Sequence, residues 1–182
     1  NDWRRGEGSY QKTLNAMALL KKNKCFFGIS CCYTSQNLDS ITNFDFIDEM
    51  VQNGAKFGAW FNFMPVGHDA SAELIPTPKQ RAYMYSWVKK MRDKHEGKPI
   101  FIMDFQNDGE HVGGCIAGGR HYFHINSHGD MEPCVFIHFS DSNIREKTIL
   151  EALKSPLFMA YYHNQPFNDN HLRPCPMLEN PD

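Results

Sequence analysis

The sequence has 182 residues, 41% of them hydrophobic and 22% charged, which predicts one domain of ordinary size or one domain with a small appendage. Its formal net charge of −2 argues against a nucleic-acid-binding protein, which would need a clustered basic face. No apolar run reaches the roughly 18 residues of a membrane span, and the opening NDWRRGEGSY lacks the apolar segment of a signal peptide. Six cysteines are too few for a disulfide scaffold, so we expect a cytoplasmic protein with reduced thiols.

Helices and strands are predicted to alternate in the first part of the chain. Apolar residues at helical spacing predict helices over residues 9–23 and 43–52. Short apolar runs predict buried strands over residues 25–32, 56–63 and 99–103.

The clearest local signal is the segment Thr77-Pro78-Lys79-Gln80. Thr77 is a good N-cap, Pro78 suits the first helical position, and Gln80 completes a capping box. A third helix should therefore run from this segment to about residue 94, between the second and third strands.

This element order is typical of parallel strands with right-handed crossovers, so we predict an α/β fold that is half of a barrel or part of an open sheet. Functional groups in such folds lie just past the carboxyl ends of the strands. The residues at those positions are Ser30 and Tyr33, Asn62 and Met64, and Asp104 and Asn107. Asp104 and Asn62 are the candidate catalytic residues, although Asp104 would equally suit the cap of a loop.

The pattern changes after Gly109, where the chain becomes rich in glycine. Residues 121–126 alternate, Ser127-His128-Gly129-Asp130 is a turn signal, and residues 131–136 return, which predicts a β-hairpin with His128 exposed in its turn. Two helices are predicted after the hairpin, and the tail, rich in Pro and Asn, is expected to be irregular. These segments are residues 145–154, 156–163 and 164–182.

Three cysteines of this second part are candidate metal ligands. Cys115 precedes the hairpin, Cys134 lies on its return strand, and Cys175 lies in the tail. A metal or cluster would join three segments that have little core of their own. Spacing alone leaves free thiols, an iron–sulfur cluster, and a zinc site with one histidine as alternatives. The available histidines are His124, His138 and His171.

The stretch CIAGGRHYFHINSHGDMEPCVF, residues 115–136, resembles the hairpin of the auxiliary-cluster domains of radical S-adenosylmethionine (radical SAM) enzymes, called SPASM or twitch domains. Cys115, Gly129 and Cys134 match the order of Cys, Gly and Cys in that pattern. The segments NIREKTILEALKSPLF and RRGEGSYQKTLNAMALLKKN also resemble parts of these enzymes, so the resemblance covers nearly the whole chain.

The resemblance implies a fold and a division of the chain. Residues 1–110 would be the C-terminal half of a partial (β/α) barrel, and residues 111–182 would be a small SPASM/twitch-like subdomain of a β-hairpin plus helix. It further implies that Cys115, Cys134 and Cys175 bind an auxiliary [4Fe-4S] cluster that serves electron transfer or substrate anchoring. Ser30 would contact SAM.

The resemblance also implies partners and cofactors for the full-length enzyme. These are SAM, a second [4Fe-4S] cluster, an electron donor such as ferredoxin or flavodoxin, and a peptide or small-molecule substrate. No nucleic acid or membrane partner is expected.

Two features depart from the family pattern. The Cys-x-x-x-Cys-x-x-Cys motif that binds the catalytic cluster is absent, so we expect a fragment that is inactive alone. The later SPASM cysteines are reduced to Cys175, which leaves the fourth ligand of the cluster unassigned.

A zinc-stapled binding module without a redox role is the alternative function. A metal-free barrel enzyme acting through Asp104 and Asn62 is a third.

Overall fold

The computed structural model describes residues 1–169 and Cys175. In this part the protein is mixed α/β, with a parallel sheet of three strands and a small antiparallel pair. The chain divides into two units, Asn1–Phe105 and a second that begins at Gln106. The boundary predicted from sequence was residue 110. No helix among the described residues has the length and apolar character needed to cross a lipid bilayer.

The first unit contains the alternating elements predicted from sequence. Its strands are β1 (Gly28–Tyr33), β2 (Phe57–Asn62) and β3 (Phe101–Asp104). Its α-helices are α1 (Asp2–Arg5), α2 (Ser9–Lys22), α3 (Leu38–Ile41), α4 (Phe44–Gln52) and α5 (Pro78–Arg92). The sequence did not predict the single-turn helices α1 and α3.

The three strands are parallel, as predicted, and they pair in the order β1-β2-β3. Tyr33 lies opposite Asn62, and Trp60 lies opposite Asp104. Helix α5 packs against β3, and the Arg92 Nε atom donates a hydrogen bond of 2.8 Å to the Ile102 carbonyl oxygen. The unit's core consists of apolar side chains of the sheet and its helices, among them Ile47, Trp60, Met84 and Ile102.

The predicted start of α5 is confirmed. The Thr77 hydroxyl accepts from the Gln80 backbone N–H, and the Gln80 side chain accepts in return from the Thr77 backbone N–H. This capping box satisfies donors that a helix start would otherwise leave unpaired.

The predicted position of β1 was wrong by several residues. Lys24 has a φ of 55°, and the Cys25 N–H bonds to the Leu20 carbonyl oxygen, so these residues form the turn that closes the C-terminus of α2. Phe26 is 79% exposed instead of buried in a strand. The strand therefore runs on to Tyr33, and Ser30 lies in its middle.

In the second unit, the predicted hairpin is confirmed but short. Strand β4 (His124–Ile125) pairs antiparallel with β5 (Met131–Glu132) around a turn in which Gly129 has a φ of 88°. Helices α6 (Gly109–Val112), α7 (Ile149–Ala152) and α8 (Pro156–His163) are the α-helices of this unit among the described residues. The predicted helix over 145–154 is shorter because Thr148 caps it with a Glu151 capping box.

A small apolar core joins the hairpin to the last two helices. Met131, Ala152 and Phe158 are buried together, and Phe123 and Leu153 pack against them. The tail predicted to be irregular lies outside the described residues from residue 170 onward, except for Cys175. His171 is therefore also outside them.

Candidate metal centre

The hairpin register positions the first of the candidate thiols. Tyr122 lies two residues before β4 and Cys134 two residues after β5, so extending the pairing of His124 with Glu132 by two residues places them opposite each other. The Tyr122 hydroxyl lies 2.7 Å from Cys134 Sγ. Cys134 is half-buried and lies just beyond β5, in an isolated bridge with Ile137, so its predicted place on the return strand is corrected.

A glycine-rich loop positions the second thiol. Gly113 and Gly114 precede Cys115 with φ values of 72° and 103°, which favour glycine. The Ala117 N–H points at Cys115 Sγ at 3.5 Å. The Arg120 guanidinium donates to the carbonyl oxygens of Gly113 and Cys115, both at 3.0 Å, and to that of Val112. Arg120 therefore closes the loop that carries Cys115.

The three candidate thiols lie near one another. Burial raises the pKa of Cys115 to about 11, and the neighbouring Cys175 and Cys134 thiols add to this rise. Burial also raises the pKa of Tyr161, and Cys115, Cys134 and Cys175 raise it further. Each cysteine is half-buried and outside any disulfide. Cys115 thus lies within electrostatic range of two further thiols, Cys134 just beyond the hairpin strand β5 and Cys175 in the tail.

The side chains do not converge on a single point. Among residues 1–169 and Cys175, no group of three His, Cys, Asp or Glu side chains is arranged to hold one metal ion. The donor set is nevertheless chemically suited to an iron–sulfur cluster, whose ligands are thiolates on separate irons. The Ala117 N–H and the Tyr122 hydroxyl supply hydrogen bonds of the kind that stabilise charge on such sulfurs.

Two histidines of the hairpin unit lie beside a buried carboxylate. His124 Nε2 and His138 Nδ1 each lie 3.9 Å from an oxygen of Glu132, which is only 3% exposed. The Asn126 side-chain amide donates to the same carboxylate at 2.9 Å. His128 is exposed in the turn, as predicted.

Sequence reasoning did not identify Tyr122, Arg120 or Glu132. Tyr122 and Glu132 follow from the hairpin register once the turn is known, because strictly antiparallel pairing fixes which residues are opposite. Arg120 carries no comparable signal, since its contacts depend on the path of a glycine-rich loop.

The strand-end residues of the first unit form a separate polar group. Tyr33, Asn62 and Asp104 end their strands with exposures of 0%, 2% and 0%, so the predicted strand-end positions of Asn62 and Asp104 are confirmed. Burial raises the pKa of Tyr33, and the nearby Asp104 carboxylate raises it further. Ser30 is exposed in the middle of β1, which corrects its predicted place at a strand end.

No protein-family model matches this sequence, and a search of curated proteins found no significant match.

Proposed function

We propose that the hairpin unit binds an auxiliary [4Fe-4S] cluster through Cys115, Cys134 and Cys175. The observation that carries this proposal is the proximity of three half-buried thiols from three separate segments of the chain. In such clusters each cysteine binds a different iron, so the thiols have to surround a common volume. Three zinc ligands, in contrast, have to meet around one ion at about 2.3 Å.

The surroundings of the thiols support the same proposal. Arg120 fixes the Cys115 loop, the Ala117 N–H faces one sulfur and the Tyr122 hydroxyl faces another. Partial burial and hydrogen bonds are the protein's means of adjusting the potential of an iron–sulfur centre. When bound, the cluster would supply one-electron transfer or a site that anchors substrate.

The wider proposal is that this chain is the C-terminal part of a radical SAM enzyme. It is supported by the sequence resemblance of the hairpin and by the parallel β1-β2-β3 sheet, which suits half of a partial (β/α) barrel. In that enzyme Asn62 and Asp104 would act at the carboxyl edge of the sheet. An electron donor such as ferredoxin or flavodoxin and a peptide or small-molecule substrate would be its partners.

The experiment that tests cluster binding compares two metals on the full chain. The protein is reconstituted under anaerobic conditions with iron and sulfide, or incubated with zinc alone, and bound metal is measured after gel filtration. We expect iron and sulfide with a brown colour in the wild type and in Cys25→Ala, whose thiol is exposed. Stoichiometric zinc without iron would contradict the proposal and favour the zinc-stapled module.

A further inference from the structure

Tyr122 occupies a position set by the hairpin itself. It lies opposite Cys134 in continuation of the β4–β5 register, and its hydroxyl is 2.7 Å from Cys134 Sγ. Both residues are half-buried, so the hydrogen bond is partly shielded from water. The contact therefore belongs to the fold of the hairpin and not to a chance approach of two surface side chains.

The direction of this hydrogen bond is fixed once Cys134 binds metal. A metal-bound cysteine is a thiolate, which carries no proton and can only accept. Phenols titrate near about pH 10, so a tyrosine hydroxyl keeps its proton at neutral pH. The Tyr122 O–H is then the donor and the Cys134 sulfur the acceptor.

We infer that Tyr122 is a positioning residue that donates a hydrogen bond to the Cys134 thiolate and thereby raises the reduction potential of the cluster at this site. The inference rests on the proposed function. Reduction adds negative charge that spreads onto the ligand sulfurs, and a donor on a sulfur stabilises the reduced state more than the oxidised one.

The chain offers a matched control in Tyr161. Its ring also lies near the three thiols, since burial and then Cys115, Cys134 and Cys175 raise its pKa. In the described part of the chain, however, the Tyr161 hydroxyl makes no hydrogen bond to a sulfur. Removing this second hydroxyl changes polarity near the site without removing the proposed bond.

The experiment is a redox titration of the reconstituted full chain, followed by the electron paramagnetic resonance signal of the reduced cluster. Wild type, Tyr122→Phe and Tyr161→Phe are compared at equal iron content. We expect a lower reduction potential in Tyr122→Phe and a potential close to that of the wild type in Tyr161→Phe.

Two outcomes would overturn the inference while leaving the proposed function in place. One is a cluster in Tyr122→Phe with an unchanged potential, and the other is an equal fall in both variants. If Tyr122→Phe does not hold iron, Tyr122→His is tested instead, because its ring N–H restores a hydrogen-bond donor. A cluster with a potential near that of the wild type then supports the role of the hydroxyl, and failure to bind iron contradicts it. Absence of iron from the wild type would instead refute the proposed function.

Discussion

A Cβ atom on Gly118 would lie 2.5 Å from the Cβ atom of Tyr161, far inside van der Waals contact. Gly118 has a φ of +68°, so the Cys115 loop turns there in a conformation that other residues rarely adopt. The loop thus lies directly on helix α8, and this close approach brings Tyr161 toward the thiols.

We predict that Gly118→Ala destabilises the second unit and weakens cluster binding. The left-handed backbone costs about 1–2 kcal/mol for a non-glycine residue, and overpacking adds about 1–3 kcal/mol. Denaturant unfolding of the second unit and iron content after reconstitution measure the two effects.

Gly67→Ala is the control for the backbone term. Gly67 has a φ of +97°, but a Cβ atom there meets nothing within 4 Å. The Gly67→Ala variant should lose only about 1–2 kcal/mol of unfolding free energy and should bind as much iron as the wild type. Equal losses of stability in the two variants would show that the contact with Tyr161 is not tight.

Tyr33 should make the first unit sensitive to alkaline pH. Burial, and then the Asp104 carboxylate, raise its pKa above the ordinary value of 10.0. The folded chain therefore keeps this proton where the unfolded chain loses it, so the stabilisation is complete below pH 10 and is lost as pH rises above it. We predict that the stability of Tyr33→Phe falls less steeply with pH above that point than that of the wild type.

The control for this measurement is Tyr162→Phe, since Tyr162 is 73% exposed. Its unfolding free energy should follow the wild-type pH profile. Burial also raises the pKa of Tyr10, to about 12, so part of the alkaline loss should remain in Tyr33→Phe. If the unfolding free energy of Tyr33→Phe fell with pH as steeply as that of the wild type, Tyr33 would not be a source of the alkaline loss of stability.

Asn126 organises the hairpin turn and the buried Glu132. Its side-chain carbonyl oxygen accepts from the His128 and Asp130 backbone N–H groups, and its amide donates to Asp130 and Glu132. Asn126→Ala leaves a buried carboxylate with one donor fewer, which we expect to destabilise the second unit by about 1–3 kcal/mol.

Hydrogen exchange of the hairpin amides measures this effect. Asn164→Ala, which removes an exposed bond to the Ala160 carbonyl oxygen, is the matched control and should leave hairpin exchange unchanged. Unchanged protection of residues 124–132 in Asn126→Ala would show that the side chain is not needed for the turn.

The thiol of Cys115 should react slowly in the metal-free chain. Its pKa is raised to about 11, so little thiolate exists near neutral pH and alkylation should accelerate about tenfold per pH unit up to that value. Mass spectrometry after iodoacetamide treatment measures the alkylation rate of Cys115 and compares it with that of Cys25, which is exposed. Labelling of Cys115 as fast as Cys25 near neutral pH would mean that its thiol is not held in the buried position described here.

Local sequence signals predicted the order of the elements well. The Thr77–Gln80 capping box, the parallel strands and the Gly129 turn are all found, because each was read from residues close together in the chain. The strand-end positions of Asn62 and Asp104 followed from that order.

Features that depend on exact register or on tertiary contacts were not predicted. Ser30 was misplaced because the apolar residues before it, among them the exposed Phe26, lie in the connection between α2 and β1 and not in the strand. The helix predicted over 145–154 begins late, since the Asn143 side chain bonds to Asp130 and to the Arg145 backbone N–H. These bonds hold a loop that helical propensity alone does not reveal.

We propose that Cys115, Cys134 and Cys175 together hold one cluster. The most direct test is iron and acid-labile sulfide per chain after anaerobic reconstitution, with Cys134→Ala compared with the exposed-site variant Cys25→Ala. We predict about four of each per chain in the wild type and in Cys25→Ala, and a large loss in Cys134→Ala. A folded wild-type chain that binds no iron, or a Cys134→Ala variant that binds as much as the wild type, would contradict the account.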